Sequence, residues 1–296
     1  METKRNTALK VALLATVALV AFAANSVLAR LALGSGEMTA TGYTGVRMMS
    51  GALTLAAILY LRGHWRSGAR IGISGSWRGA AALFGYALAF SIGYLMLGAG
   101  TGALILFASV QIGMLTWAIS RGDRPGPLEW LGFGVAFAAL AFLVVPGLMA
   151  PPLLGTALMA IAGLSWAAYS LLGQSSRAPL ADTAGNFIRC LPVALVLLAS
   201  SNIPQTSSAT GLSYAIASGA IASGVGYAIW YTVLPSMTRT SAAFLQLTVP
   251  AIAAAGGVLF IGEPLTGRLL VSSAGILGGV ALALLAGNKR KAKAPG

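Results

Sequence analysis

Two groups of aromatic residues could bind a ring-bearing or apolar small molecule. Tyr86, Phe90 and Tyr94 recur at intervals of four, so they would share one face of a helix. The second group lies in the other half of the chain and consists of Tyr227, Trp230 and Tyr231. Aromatic rings stack on planar groups, and tyrosine and tryptophan also donate hydrogen bonds. We predict that both groups form a substrate-binding wall, with core packing or lipid contact as the alternative.

Uncharged polar side chains accompany these rings inside apolar stretches. Gln111 and Gln246 are the deeply placed glutamines, and Asn25 is the corresponding asparagine near the amino terminus. An amide in hydrocarbon needs a hydrogen-bond partner, which is either a bound solute or a neighbouring helix. Trp166 and Tyr169 stand about one turn apart and would add a ring and a polar tip to the same wall. We predict substrate contact for all five, with interhelical bonding as the alternative for the amides.

Arg47 and Arg189 are the basic residues that fall well inside apolar stretches. Each lies seven residues inside its predicted helix, which is about 10 Å at the helical rise. An arginine is costly inside a membrane, but its long side chain can carry the guanidinium to an interface. We therefore predict a structural or gating role for both, in preference to binding of a substrate carboxylate.

Catalytic and proton-carrying groups are missing from the apolar stretches. The carboxylates lie in the amino-terminal tail or near helix ends, and they are Glu2, Glu37, Asp123, Glu129, Asp182 and Glu263. The single histidine, His64, lies in a predicted loop, and Cys190 has no second cysteine to pair with. Because hydrolytic and metal-binding motifs are absent, we expect no enzyme, no metal and no cofactor. Proton coupling would need a membrane-embedded acid, so facilitated movement of a zwitterionic or neutral solute is favoured.

The elements that must position these residues are membrane helices. Hydrophobic residues make up 57% of the 296 residues and charged residues 8%, against roughly 25% charged in soluble domains. A helix needs about 20 residues to cross the hydrocarbon core. Ten apolar runs of about this length occur, at 8–33, 40–61, 77–97, 101–120, 127–148, 153–173, 182–200, 211–234, 239–261 and 267–286. The predicted fold class is an all-α integral membrane protein with ten transmembrane helices.

The distribution of basic residues predicts the orientation. With a cytoplasmic amino terminus, fifteen of the 19 basic residues lie on the cytoplasmic face, where lysine and arginine are enriched. Both termini are then cytoplasmic, and residues 289–296 form a basic tail. The net charge of +13 follows from this topology and from attraction to anionic lipid, so no nucleic-acid partner is expected.

The chain contains one pattern twice, offset by about 140 residues. The matched positions include Arg47 with Arg189, Tyr86 with Tyr227, and Gln111 with Pro250. Five helices per copy is an odd number, so the second copy would enter the membrane from the opposite side. We predict two inverted-topology repeats, at 1–148 and 149–288, with a substrate site between them at mid-depth.

Helix-breaking residues mark places where a moving protein could bend. Pro235 is predicted to end the eighth span and Pro250 to interrupt the ninth, because proline lacks a backbone donor. Gly98 and Gly100 are predicted to end the third span. Glu263 falls at the outer end of the ninth span, where we expect capping or gate contacts. Pro235 and Pro250 join the two arginines as predicted gating or structural positions.

Four short features resemble a known transporter superfamily. They are Ala23-Ala24-Asn25-Ser26, Ser165-Trp166-Ala167-Ala168-Tyr169, the arginines of the second and seventh spans, and Gly262-Glu263-Pro264-Leu265. Together with the ten-span layout they look like the drug/metabolite transporter (DMT) superfamily, in its EamA-type branch, near the bacterial exporters of aromatic amino acids. Ala24 departs from the tryptophan that many members carry before the asparagine.

The resemblance implies a function and a mechanism. A monomer in the bacterial inner membrane would export aromatic or apolar amino acids and related small metabolites. Alternating access would operate around a central cavity lined by spans 1, 3, 4, 6, 8 and 9. Efflux of cationic or hydrophobic drugs by antiport is the alternative function.

Overall fold

The computed structural model describes residues 2–62, 74–144, 152–201, 203 and 207–293. Regular structure within these ranges is helical, which confirms the all-α prediction. In chain order the α-helices are α1 Glu2–Ala29, α2 Ala40–Leu61, α3 Trp77–Ser120, α4 Pro127–Val144, α5 Leu153–Gln174, α6 Pro179–Ser200, α7 Ala209–Ala217, α8 Gly226–Val233, α9 Arg239–Gln246, α10 Thr248–Ile261 and α11 Gly267–Lys293. A π-helical turn at Arg30–Gly34 extends α1, and another at Ser218–Val225 joins α7 to α8. His64 and the predicted boundary at 148 and 149 lie outside the described residues.

Eight helical segments in the described part of the chain are long and apolar enough to cross a membrane. They are Leu9–Gly34, Ala40–Leu61, Trp77–Leu97, Leu153–Gln174, Pro179–Ser200, Ala209–Ser236, Arg239–Ile261 and Gly267–Gly287. Two shorter apolar helices, Ile105–Ser120 and Pro127–Leu143, stand where the fourth and fifth spans are predicted. Both fall below the about 20 residues that cross the hydrocarbon core, so the ten-span count remains a prediction.

The helix α3 reverses direction within its own length. Gly85 lies against Ser165 of α5, and Gly113 lies against Leu164 and Ala167 of the same helix. A straight helix would separate Gly85 from Gly113 by about 42 Å. The two ends of α3 must therefore fold back so that both pack on α5.

We call the two parts of α3 the first arm, Trp77–Leu97, and the second arm, Ile105–Ser120. The first arm ends at Leu97, next to Gly98 and Gly100 where the third span was predicted to end, although helical backbone continues through both glycines. Helical turns keep the backbone donors and acceptors paired, which a chain inside a bilayer needs even where it changes direction.

Glycines allow several helices to approach each other closely. A methyl group on Gly132 of α4 would lie 2.5 Å from the carbonyl oxygen of Gly279 in α11. On Gly163 of α5 it would lie 2.5 Å from the carbonyl oxygen of Leu106, in the second arm of α3. Lipid is as apolar as a protein core, so membrane helices associate through this kind of close van der Waals packing.

The ninth predicted span is broken into α9 and α10 at Leu247. Pro250 has no amide hydrogen to bond the Gln246 carbonyl four residues earlier, and its ring crowds that carbonyl. The Leu247 amide bonds instead to the Phe244 carbonyl, at 3.0 Å. The predicted interruption is therefore present, three residues before Pro250. Pro235 lies in the 3-10 turn Leu234–Ser236 that follows α8.

Candidate functional site

A small cavity lies where α1, both arms of α3, α5, α8, α9 and α10 meet. Its lining consists of Phe22, Asn25, Ser26, Tyr86, Phe90, Leu106, Phe107, Val110, Trp166, Tyr227, Gln246 and Val249. We call it the central cavity. Its volume of about 30 Å³ suits water and is far too small for an amino acid. These elements correspond to the spans that the resemblance implied would surround the substrate.

The cavity brings together about half of the predicted binding residues. Those that line it are Asn25, Tyr86, Phe90, Trp166, Tyr227 and Gln246. Those that do not are Tyr94, Gln111, Tyr169, Trp230 and Tyr231. Tyr169 and Tyr231 are buried against each other, with ring centres 5.1 Å apart, and Trp230 is wholly buried. A stripe of aromatic residues on one helix thus divides into cavity lining and core packing, which spacing alone does not distinguish.

The prediction missed half of the cavity lining. The lining residues that it did not name are Phe22, Ser26, Leu106, Phe107, Val110 and Val249. Helical spacing around Asn25 could have found Phe22, three residues before it, and Ser26, which lies four residues after Phe22 and shares its face. The other four are apolar residues whose types and positions carry no signal that separates them from ordinary core.

Trp166 is the centre of the aromatic wall. Its ring centre lies 5.0 Å from that of Tyr86, 5.0 Å from that of Tyr227 and 5.2 Å from that of Phe22. Its indole nitrogen donates to the side-chain oxygen of Gln246 at 2.5 Å. Rings contributed by α1, α3, α5 and α8 therefore meet around one indole.

Both glutamines join the second arm of α3 to α9. The Gln111 amide nitrogen donates to the Ala243 carbonyl at 2.7 Å, and the Gln246 amide nitrogen contacts the sulfur of Met114 at 3.2 Å. Gln111 therefore acts as an interhelical hydrogen-bond donor in this structure. Gln246 does the same while also lining the central cavity.

A chain of hydrogen bonds runs from α2 to the cavity wall. The Tyr43 hydroxyl donates to Ser218 at 2.8 Å, and the Ser218 hydroxyl donates to the side-chain oxygen of Asn25 at 2.6 Å. The Asn25 nitrogen in turn lies 3.5 Å from the Tyr86 hydroxyl. This chain fixes the orientation of Asn25 and supplies a polar layer behind the rings.

Arg47 lies wholly inside the protein. It is 0% exposed, so the predicted extension of its side chain to a membrane interface does not occur. Its Nε donates to Ser223 at 2.9 Å and its Nη2 donates to the Tyr227 hydroxyl at 2.8 Å. The guanidinium carbon lies 5.2 Å from the centre of the Tyr86 ring, and Nη1 makes no hydrogen bond. The cation thus contacts two residues of the cavity lining.

Arg189 has different surroundings. It is half-buried, and its Nη1 donates to the Ser74 carbonyl and, at 3.1 Å, to the Gly185 carbonyl. Its guanidinium carbon lies 5.8 Å from the centre of the Trp77 ring, in the first turn of α3. This arginine holds the start of α3 against α6, which agrees with a structural contribution.

An ion pair joins the end of α1 to the end of α10. The Arg30 guanidinium bonds to the Glu263 carboxylate, and both side chains are partly exposed. The pair lies against Gly257, where a methyl group would be 2.9 Å from Arg30 Nη1. The α10 helix ends at Gly262, whose φ of 76° favours glycine. Glu263 thus contacts the first half of the chain, and its gate or capping role stays a prediction.

A larger groove, of about 860 Å³, lies between the second arm of α3 and α5. Gly113 and Trp117 line one side, and the polar residues Arg121, Asp123 and Arg239 also line it. It shares no lining residue with the central cavity. The two spaces are nevertheless close, because Gly113 of the groove is three residues from Val110 of the cavity.

A helical bundle with this many apolar spans around an aromatic cavity defines a multi-pass membrane protein. Its sequence matches the EamA-like transporter family over residues 153–285. It is also 48% identical over 272 residues to the uncharacterized protein PA1977 of Pseudomonas aeruginosa, covering 92% of this chain and 93% of that protein. Residues 153–285 thus form an EamA-like transporter domain, and the chain is a multi-pass protein of the bacterial inner membrane.

Two further likenesses agree with this family. The uncharacterized inner membrane transporter YedA of Escherichia coli is 28% identical over 173 residues, which cover 54% of this chain and 52% of YedA. A solved crystal structure shares the fold with a TM-score of 0.70 at 19% identity, over 92% of this chain and 98% of the other. The family match and the likeness to YedA support the DMT superfamily, whereas the solved structure shows the fold alone.

Proposed function

We propose that this protein exports aromatic or apolar amino acids and related small metabolites by alternating access around the central cavity. The observation that carries the proposal is the meeting of Phe22, Tyr86, Trp166 and Tyr227 around that cavity. These rings come from both halves of the chain, and Tyr86 and Tyr227 are matched positions of the predicted repeat. An aromatic wall with hydroxyl and indole donors suits a solute that carries a ring and a polar end.

We further propose ten membrane spans in two inverted repeats, with both termini in the cytoplasm. The two shorter apolar helices support this count, because their positions match the predicted fourth and fifth spans. The matched residues Tyr86 and Tyr227 both line the central cavity, which supports the repeat. Inverted repeats place the substrate at their interface, where the cavity lies.

The small volume of the central cavity fits a step of a transport cycle in which no substrate is bound. Opening would need the second arm of α3 to move away from α5, which would join the central cavity to the larger groove. Opening the cavity toward the ends of α1 and α10 would require the Arg30 and Glu263 ion pair to separate. The break before Pro250 gives α9 and α10 separate axes, and Pro235 lies at the connection that precedes them. We propose both prolines as hinge positions on this basis.

We propose a facilitator that acts as a monomer. The cavity lining holds neither a carboxylate nor a histidine, so it offers no site that would bind a coupling proton. An imposed pH gradient should therefore leave the final distribution of an amino acid unchanged. Uphill accumulation driven by that gradient would contradict the facilitator.

The test uses purified protein in proteoliposomes with labelled phenylalanine, tryptophan and methionine. We expect saturable entry of each label that stops at equal concentrations inside and outside. Replacing Trp166 by Leu should lower the initial rate about five- to tenfold, because the surrounding rings lose the indole that they all contact. Trp130→Leu is the matched control, since Trp130 is exposed on α4 and lines neither space. Equal rates in protein-free liposomes would contradict transport of these solutes.

Efflux of cationic or hydrophobic drugs is the second candidate. The larger groove favours it, because its apolar walls and its volume of about 860 Å³ would admit a bulky amphiphile. The same proteoliposomes separate the two functions. Preferential transport of quaternary amines over phenylalanine would favour drug efflux.

A further inference from the structure

The buried charge of Arg47 bears on the kind of solute that the central cavity accepts. We propose that the cavity selects solutes that carry a carboxylate, and that an amino group on the solute is not required. The guanidinium of Arg47 supplies the selecting charge through Tyr86 and Tyr227. This inference rests on the proposed transport function and narrows its substrate class to aromatic and apolar carboxylates.

The first step is the position of the charge. Arg47 is 0% exposed, and an arginine side chain remains protonated in proteins. Its Nη2 bonds to the Tyr227 hydroxyl at 2.8 Å, and its guanidinium carbon lies 5.2 Å from the centre of the Tyr86 ring. Both tyrosines line the cavity. A full positive charge therefore lies behind the cavity lining, separated from the cavity by a tyrosine side chain.

The second step is the lack of an internal counter-charge. The ion pair among the described residues joins Arg30 to Glu263, and Arg47 lies within 4.0 Å of no carboxylate there. Asp182 accepts hydrogen bonds from Ser74 and Ser176 instead, each at 2.5 Å. A buried charge without an opposite partner is unfavourable, and its field is weakly screened in a low dielectric. A solute anion in the adjacent cavity would offset this cost.

The third step is the chemistry of the lining. It contains no carboxylate, so a solute ammonium would meet neutral oxygens and aromatic rings but no opposite charge. One of these, the Gln246 side-chain oxygen, already accepts from Trp166 at 2.5 Å. A carboxylate would instead face hydroxyl groups polarised by Arg47. The arrangement therefore attracts anions and disfavours solutes whose single charge is positive.

A panel of three solutes with the same ring tests this inference. The solutes are 3-phenylpropionate, phenylalanine and phenethylamine, which carry a carboxylate, both groups, and an amine. Each is used unlabelled to inhibit labelled phenylalanine uptake into proteoliposomes of the full chain. We expect 3-phenylpropionate to inhibit about as well as phenylalanine, and phenethylamine about tenfold less well or worse. Equal inhibition by phenethylamine would overturn the proposal.

Binding without transport gives an independent measurement. We expect 3-phenylpropionate to raise the melting temperature of the purified protein, and phenethylamine to leave it unchanged. Arg47→Met should lose this stabilisation, Arg47→Lys should keep part of it, and Arg189→Met should keep it in full. Stabilisation of Arg47→Met equal to that of the unchanged protein would refute the assigned charge. If Arg47→Met does not fold, the solute panel and Arg47→Lys still decide.

The two proposals fail in different ways. Stabilisation by 3-phenylpropionate without any uptake would count against transport and leave the carboxylate preference standing. Uptake of phenylalanine with equal inhibition by the amine would count against the carboxylate preference and leave transport standing.

Discussion

Arg47 and Arg189 occupy matched positions in the two predicted repeats and have opposite surroundings. Arg47 is wholly buried and bonds to hydroxyl groups, one of which belongs to the cavity wall. Arg189 is half-buried and bonds to the backbone carbonyls of Ser74, just before α3, and of Gly185, in its own helix α6. A carbonyl only accepts a hydrogen bond from the cation. A tyrosine hydroxyl that accepts from the cation can also donate its own hydrogen to a neighbouring solute. The same residue type at the same point of a repeat can therefore serve binding in one half and assembly in the other.

Gln111 and Pro250 are a second matched pair and show the same division. Pro250 accompanies the break between α9 and α10, after which the Leu247 amide bonds to Phe244. In a continuous helix that amide would bond to the Ala243 carbonyl, which here accepts from Gln111 at 2.7 Å. The second half of the chain thus contains the helix break, and Gln111 of the first half donates to the Ala243 carbonyl that the break leaves without its helical partner.

The largest expected effect on uptake comes from a change in the first matched pair, Arg47 and Arg189. Arg47→Met should lower phenylalanine uptake about a hundredfold, because the cavity loses its only adjacent charge among the described residues. Its melting temperature should stay the same or rise, since replacing a buried ion by an apolar side chain of similar length is often neutral or stabilising. Arg189→Met is the matched control and should change uptake less than about twofold. Equal losses in the two variants would remove the contrast between the arginines.

In the second matched pair, Pro250→Ala should lower the uptake rate by an intermediate factor. Alanine restores a backbone donor, so α9 and α10 should move toward one continuous helix. We expect the uptake rate to fall about fivefold while the amount of folded protein is unchanged. Initial rates normalised to monodisperse protein after size-exclusion chromatography measure this. An unchanged rate would show that the break does not act as a hinge.

Gln111→Leu should affect stability more than rate. It removes the donor to the buried Ala243 carbonyl, which costs about 1–3 kcal/mol. A decrease of several degrees in the melting temperature is expected, with uptake per folded molecule altered less than about twofold. Gln111→Glu is a poor replacement because it would bury a charge. A variant that keeps its melting temperature but stops transporting would instead indicate that Gln111 contacts substrate.

Much of the fold could be predicted from the sequence. The composition and the apolar runs identified a helical membrane protein, and short motifs around Asn25, Trp166 and Glu263 indicated the family. These signals are local and depend on residue type and spacing. The change of direction between residues 97 and 105 was predicted as the connection between the third and fourth spans, but the helical backbone that continues through it was not.

The candidate site was only partly predictable. The depth of Arg47 depends on Ser223 and Tyr227, which lie about 180 residues further along the chain. Whether Tyr94 or Phe90 reaches the cavity depends on how α3 bends, although both follow the same spacing. The substrate contacts, the hinge positions and the division at 148 and 149 stay predictions.

The fold of α3 onto α5 also bears on how the chain could be assembled from pieces. The two arms belong to the first predicted half and α5 to the second, yet glycines on both sides bring these elements into close contact, as at Gly113 and Gly163. The predicted boundary between the repeats therefore separates two elements, α3 and α5, that pack closely against each other. Two polypeptides separated at residues 145–151 and made together should reassemble along that seam without a covalent link.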